Sequence, residues 1–207
     1  MATRNWKLIT SPFSRQNPIT VQVLGVCSCL AVTAQLKPAL VMAVSVTVVV
    51  ALANVIISLL RKTIPPRIRI IVQLVVVSVL VVLVDQVLKA YLYDVSRQLS
   101  VFVGLIITNC IVMGRLEAFA MHNPPLPSLC DGIGNGLGYG IILVTLGTVR
   151  ELLGSGTLMG YPVMEKIGAY NIGYENNGLM IMPPMALILV GLIIWLQRSR
   201  NKELQEK

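Results

Sequence analysis

The sequence predicts an all-α integral membrane protein with six transmembrane helices, arranged as two inverted three-helix repeats. Three features favour this fold class: few charges, long apolar runs, and basic residues concentrated between those runs. Of the 207 residues, 55% are hydrophobic and 13% are charged, and the mean hydropathy is +0.77. A soluble domain carries about 25% charged residues. This chain therefore has too little polar surface to enclose a water-soluble core.

Six segments are apolar over nearly the ~20 residues that a helix needs to cross the hydrocarbon core. The first is weakened by polar side chains, the second and third are almost purely aliphatic, and the fourth is short. The fifth is rich in glycine, and the sixth has two prolines near its start. The segments are residues 19–36, 39–60, 68–88, 99–113, 132–153 and 179–196. Their apolar runs are continuous, whereas the strands of an outer-membrane barrel alternate apolar and polar residues.

The basic residues predict the orientation of these six spans. If the termini and the loops after spans 2 and 4 share one side, that side carries twelve of the 17 lysines and arginines. Basic residues concentrate on the cytoplasmic side of membrane proteins. We therefore expect a cytoplasmic N-terminal segment over residues 1–18 and a cytoplasmic tail over residues 198–207. Because the basic residues lie at the edges of apolar runs rather than on one face, no nucleic-acid partner is expected.

The two halves of the chain share a pattern. Each opens on a weak span that carries a cysteine near its middle, which predicts one repeat over residues 19–97 and another over residues 98–197. Because each repeat has three spans, the repeats must have opposite orientations, and the functional site of such proteins lies at the repeat interface near the midplane. The alternative is that two slightly polar helices simply pack within a bundle.

Two of the four cysteines fall at mid-depth. At about 1.5 Å per residue, Cys27 in span 1 and Cys110 in span 4 both reach the middle of the bilayer, entering from opposite sides. On a continuous helix Cys29 would point about 200° away from Cys27, and Cys130 lies at the membrane edge. Two thiols would supply half of a four-thiolate iron–sulfur or zinc site that a partner completes. The alternative is that all of these cysteines are small apolar filler.

Two acids are candidates for an ion path. Asp85 lies inside the third span and Asp131 begins the fifth. Acids within a membrane segment mark ion paths by default, although a snorkelling carboxylate or a helix N-terminus would explain them as well. The charges of Arg115 and Glu117, and those of Arg150 and Glu151, lie at span ends, where solvated side chains or local ion pairs are expected.

The glycines of the fifth span predict close helix packing. Gly132, Gly136 and Gly140 share one helix face at four-residue spacing, which is the small-xxx-small pattern of membrane helix interfaces. A nucleotide-binding loop would need a different glycine spacing, and no P-loop lysine follows.

Three stretches resemble the Nqr/Rnf family of membrane subunits, and within it the D-type subunits of the sodium-translocating NADH:quinone oxidoreductase. They are NPITVQVLGVC at residues 17–27, SVFVGLIITNCIVMGR at residues 100–115 and DGIGNGLGYG at residues 131–140. The last two stretches look more like the sodium NADH enzyme than like the related Rnf complex. The likeness extends from about Pro18 to the end of span 6, and it is most specific around Cys110.

This resemblance implies a bacterial inner-membrane subunit that pairs with a homologous E subunit. The pair holds a [2Fe–2S] cluster with two cysteines from each, which fall on Cys27 and Cys110 here. The cluster passes electrons from the F subunit to a flavin on the C subunit, coupled to Na+ export. FAD, FMN, NADH and quinone belong to other subunits among A, B, C and F, and lipid surrounds the complex. The chain departs from the expected pattern at Cys29 and Leu116, where alanine is usual.

Three other functions stay open from the sequence. The chain would be the equivalent subunit of an Rnf-type ferredoxin:NAD oxidoreductase if its electron donor were ferredoxin. A cluster-free secondary transporter would explain the repeats and Asp85 without metal. A purely structural membrane scaffold would tolerate serine at both mid-depth cysteines.

Overall fold

A computed structural model describes residues 17–91, 104–161 and 178–200, and in this part of the chain the secondary structure is helical. No strand occurs among these residues, and a single β-bridge joins Leu158 to Tyr161. The predicted all-α class is confirmed for them. The α-helices are α1 (Val26–Val32), α2 (Leu36–Leu60), α3 (Arg69–Tyr91), α4 (Cys110–Arg115), α5 (Pro125–Ser155) and α6 (Pro183–Arg200). A π-helical turn, Leu116–Ala120, continues α4, and a 3₁₀ turn, Gly178–Ile181, precedes α6.

Helices α2, α3 and α5 are long and apolar enough to cross a membrane. They correspond to the second, third and fifth predicted spans. Helix α5 begins at Pro125, seven residues before the predicted start, because proline is favoured in the first turn of a helix, where its missing N–H costs nothing. Helix α6 has 18 residues and begins at the two prolines of the sixth predicted span.

The first and fourth predicted spans are not continuous helices in the described residues, so the prediction was wrong on this point. In the first, residues 17–22 form turns, and α1 begins only after Gly25. Gly25 has a φ of +75°, a left-handed conformation that interrupts a right-handed helix. In the fourth, residues 104–107 are helical, Asn109 is extended, and α4 starts again at Cys110. Residues 99–103 of this predicted span lie outside the described residues.

The core is centred on the antiparallel packing of α2 against α5. On three glycines of α5, an added Cβ would come within 3.1 Å of α2 atoms, so the two backbones are nearly in contact. The facing residues are Gly132 with Ala51, Gly136 with Thr47, and Gly140 with Ala43. The predicted glycine packing face is therefore confirmed.

Side chains tie α2 to both ends of α5. At one end the Asn54 amide donates to the carbonyl of Ser128 at 3.0 Å. At the other end a carboxylate oxygen of Glu151 accepts from the backbone N–H of Leu36 at 2.6 Å, which satisfies a donor at the start of α2. These bonds fix the register of the two helices along the glycine face.

Arg150 is fully buried, contrary to the expectation of a solvated or ion-paired side chain. Its guanidinium donates to the Thr33 hydroxyl at 2.6 Å and to the carbonyls of Met180 at 3.0 Å and Ile181 at 2.6 Å. The carbonyls at the end of the 3₁₀ turn and the segment after α1 thus take the place of water and of a counter-ion. Arg150 therefore joins three parts of the chain at this end of α5.

Candidate functional site

The two helix breaks bring Cys27 and Cys110 to the same cavity, which has a volume of about 260 Å³. Both cysteines are exposed in the isolated chain, whereas Cys29 is buried and Cys130 is partly buried. The cavity is lined by Gly25, Cys27, Ser28, Leu105, Thr108, Asn109 and Cys110. Of the two thiols in the Cys27–Ser28–Cys29 stretch, the structure thus turns Cys27 toward the cavity.

Each cysteine stands at the start of a helix. Cys27 is the second residue of α1, after Gly25 at its N-cap, and Cys110 is the first residue of α4. At the start of α4, the Asn109 side-chain oxygen accepts from the backbone N–H of Ile111 at 3.1 Å. Both cysteines therefore belong to the first turn of a helix that starts at a break. A helix start carries partial positive charge from its free N–H groups.

A polar network joins the two breaks. The Ser28 hydroxyl donates to the carbonyl of Gly25 at 2.8 Å and accepts from the Asn109 amide at 3.4 Å and from the Tyr139 hydroxyl at 2.7 Å. Tyr139 is buried and comes from α5. The network fixes the chain on both sides of the cavity to one rigid helix.

The network lies at mid-depth of the core. Tyr139 is the fifteenth of the 31 residues of α5, and it follows by three residues the glycine that packs on Thr47 near the middle of α2. If α5 crosses the membrane, its centre lies near the bilayer midplane. The cavity is then as far from one membrane face as from the other.

The donor set of the cavity fits half of a four-thiolate metal site. The two sulfur atoms available to it are those of Cys27 and Cys110, and no group of three or more His, Cys, Asp or Glu side chains is assembled within residues 17–91, 104–161 and 178–200. A thiolate-bound [2Fe–2S] cluster needs four sulfur ligands from protein. A cluster at this cavity would need two further ligands from another chain, and the exposure of both thiols leaves room for such a chain.

The two candidate acids have different surroundings, and the structure does not bring them together. Asp85 pairs with Lys89 one turn later on α3, with an oxygen–nitrogen distance of 2.6 Å. Asp131 is buried, and both of its carboxylate oxygens accept from the guanidinium of Arg115. The expected local ion pair of Arg115 is thus present, but it bridges α4 and α5. Glu117 also forms an ion pair, with Arg69 of α3 at 2.5 Å.

Comparison with known proteins identifies the family. The model of the "Rnf-Nqr subunit, membrane protein" family matches residues 5–194. The chain belongs to the Rnf-Nqr family. Three curated relatives are named as the D-type subunit of a Na(+)-translocating NADH-quinone reductase. Those of Aeromonas hydrophila and Aeromonas salmonicida are each 57% identical over 203 residues, covering 97% of this chain and 96% of the relative. The relative from Shewanella halifaxensis is 54% identical over 199 residues, covering 95% and 93%.

The Rnf-Nqr match includes both helix breaks and both cysteines of the cavity. The sequence pattern did not single out Tyr139, whose hydroxyl reaches Ser28 between the two breaks. The only signal for Tyr139 was an aromatic residue with a hydroxyl within a glycine-rich membrane helix, where such a group usually finds a hydrogen-bond partner.

Proposed function

We propose that this chain is the D-type member of a sodium-translocating NADH:quinone reductase, and that it does not itself bind NADH. The proposal is supported by the names of relatives that are 54–57% identical over nearly their whole length. The equivalent subunit of an Rnf-type complex is the second candidate, because the family model covers both kinds of subunit. The names of the curated relatives favour the first.

We further propose that Cys27 and Cys110 supply two of the four thiolates of a [2Fe–2S] cluster, and that a homologous E subunit supplies the other two. The observation that carries this proposal is that both thiols line one cavity at mid-depth, each at a helix start. When bound, such a cluster supplies one-electron redox chemistry. In this role the chain relays electrons across the membrane and leaves NADH oxidation and quinone reduction to other subunits.

The residues around the cavity suit this task. Gly25 turns the chain so that α1 starts at mid-depth, and Asn109 caps α4, so two helix starts point their positive ends toward the thiols. The Ser28 hydroxyl connects these starts to Tyr139. The network thereby holds the two thiols at a fixed separation without contributing a ligand itself.

The finer architecture also belongs to the proposal. We propose six spans in two inverted repeats, residues 19–97 and 98–197, with residues 1–18 and 198–207 in the cytoplasm of a bacterium whose inner membrane holds the complex. The A, B, C, E and F subunits and lipid surround the chain. The two mid-depth breaks support the repeat, because each repeat opens on a broken helix that carries a cysteine.

We place the sodium route at Asp131, with Asp85 as a second candidate. Asp131 supports this role because a buried carboxylate in a membrane core is costly and is retained where ions pass. Asp85 has weaker support, because its side chain is 14% exposed, against 3% for Asp131, and its partner Lys89 is itself exposed.

The proposal is tested on the complex purified without oxygen, by iron quantitation and EPR spectroscopy. Cys110→Ser should abolish one [2Fe–2S] signal and its iron, since one of four thiolates is lost. Cys130→Ser is the matched control, because that thiol lies outside the cavity, and it should retain both. A wild-type complex that contains no such iron would refute the cluster. That result is the one expected of a cluster-free secondary transporter or a structural scaffold. Retention of the signal in Cys110→Ser would refute the assignment of the ligand.

A further inference from the structure

A buried ion pair lies between the cavity and one end of α5. The Arg115 guanidinium donates from Nε to one carboxylate oxygen of Asp131 at 2.9 Å and from a terminal nitrogen to the other oxygen. The two side chains are only 13% and 3% exposed. A two-point pair of this kind is strong and directional, so Arg115 occupies the cation position of this carboxylate.

The carboxylate has one further polar neighbour whose hydrogen bonding is incomplete, Asn135. The Asn135 amide donates to Asp131 Oδ1 at 3.0 Å, and its own oxygen, which is buried, has no hydrogen-bond partner among the described residues. Buried oxygens without donors are costly, and hard cations bind carboxylate and amide oxygens.

Arg115 has a second partner that does not depend on the carboxylate. Its guanidinium carbon lies 5.5 Å from the centre of the Phe119 ring, within the range of a cation–π contact. Phe119 belongs to the π-helical turn, and such turns are frequent at functional sites. The ring therefore keeps a favourable contact with the guanidinium when the guanidinium leaves Asp131.

We propose that Arg115 is a built-in cation that competes with sodium for the Asp131 carboxylate and thereby sets the sodium affinity of the route. This inference rests on the proposed role of Asp131. A buried carboxylate needs one positive partner; a sodium ion that replaces the guanidinium supplies that partner, while the displaced guanidinium keeps its contact with the Phe119 ring. The buried Asn135 oxygen, beside the carboxylate, would gain a cation in the same exchange.

The test measures how the NADH:quinone turnover of the whole complex depends on sodium concentration. Arg115→Gln should lower the sodium concentration at half-maximal rate by about tenfold, the factor that corresponds to about 1.4 kcal/mol of lost competition. Arg115→Lys keeps the charge but cannot form the two-point pair, and should lower it by a smaller factor. Arg69→Gln is the matched control, since it removes an arginine from a more exposed ion pair with Glu117, and it should leave the value unchanged.

A second readout separates sodium binding from a merely structural effect. Sodium should raise the thermal midpoint of the Arg115→Gln complex more than potassium does, and more than sodium does in the wild type. If the Arg115→Gln complex does not assemble, Arg115→Lys decides by the same two measurements.

The two proposals fail in different ways. If Asp131→Asn changes the sodium dependence but neither Arg115 variant lowers the half-maximal concentration, the competition is refuted and the route stands. If Asp131→Asn leaves the sodium dependence unchanged, the route through Asp131 is refuted, and the competition with it.

Discussion

Replacing Gly136 by alanine tests the contact on which the core depends. A Cβ at this position would lie 2.7 Å from Thr47 Cα and 2.7 Å from Thr47 Oγ1. The Oγ1 atom can move, because it belongs to a side chain, but the Cα atom cannot move without its helix. Since ordinary contact begins at 3.4 Å, α2 and α5 must separate locally by about 0.7 Å.

Two opposing effects decide the magnitude. Overpacking against a backbone costs about 1–3 kcal/mol, and the upper part of that range applies because no rotamer change relieves the clash. Alanine is more favourable than glycine inside a helix by about 1 kcal/mol. The net destabilisation is therefore about 1–2 kcal/mol, which corresponds to a fall of about 2–8 °C in the thermal midpoint of a chain of this size.

The assay heats the purified complex and measures the fraction that still elutes as one species. Gly191→Ala is the matched control, because this glycine of α6 has no atom within 4 Å of an added Cβ, so only the gain in helix propensity remains. The two variants should shift the midpoint in opposite directions. A midpoint that rises equally in both would refute close packing of α2 on α5 at Thr47.

Three further substitutions test the site. Gly25→Ala should lower the thermal midpoint and slow maleimide labelling of Cys27. A left-handed alanine costs about 1–2 kcal/mol, and its methyl group would lie 2.6 Å from Ile111 Cδ1. Tyr139→Phe should cost about 1 kcal/mol in thermal stability and alter the same labelling rate, since Ser28 loses its 2.7 Å donor. Arg150→Gln should prevent accumulation of the chain in membranes, measured by immunoblot, because several buried acceptors lose a charged donor, each worth about 1.5–3 kcal/mol.

Each of these has a control that changes the same residue type elsewhere. Gly104→Ala adds a methyl group with no atom within 4 Å, Tyr161→Phe removes a hydroxyl from a residue that is 74% exposed, and Arg67→Gln changes an exposed arginine. All three should leave stability and labelling near the wild-type values. Equal effects in variant and control would contradict the assigned contacts.

The parts of the fold that hydropathy and spacing predicted are those in which one local pattern determines the structure. Long aliphatic runs predicted α2 and α3, and the glycines of α5 predicted the face that packs on α2. Counting residues along spans 1 and 4 singled out Cys27 and Cys110, and both line one cavity; their depth in a membrane stays a prediction.

Hydropathy and spacing did not predict the helix breaks or the burial of Arg150, and the reason is physical. Hydropathy reports that a segment is apolar but not the path of its backbone, so the left-handed turn at Gly25 left no trace in the apolar pattern. Arg150 carries a charge at a span end, which usually means contact with water. Its partners are carbonyls some 30 residues later in the chain, and no local pattern encodes them.

Helix α4 connects the two proposals. Cys110 is its first residue and Arg115 its last, so the backbone positions that carry a thiol of the cavity and the cation on Asp131 lie about 7.5 Å apart along one helix axis. A change of charge at the cavity would act on the guanidinium over this distance in a medium that screens charges poorly. A more negative cavity would attract Arg115 away from Asp131, and that shift would leave the carboxylate free for an incoming cation. If both proposals hold, the six residues of α4 carry a cluster ligand and the cation that competes with sodium, so electron transfer would act on sodium uptake through this one short helix.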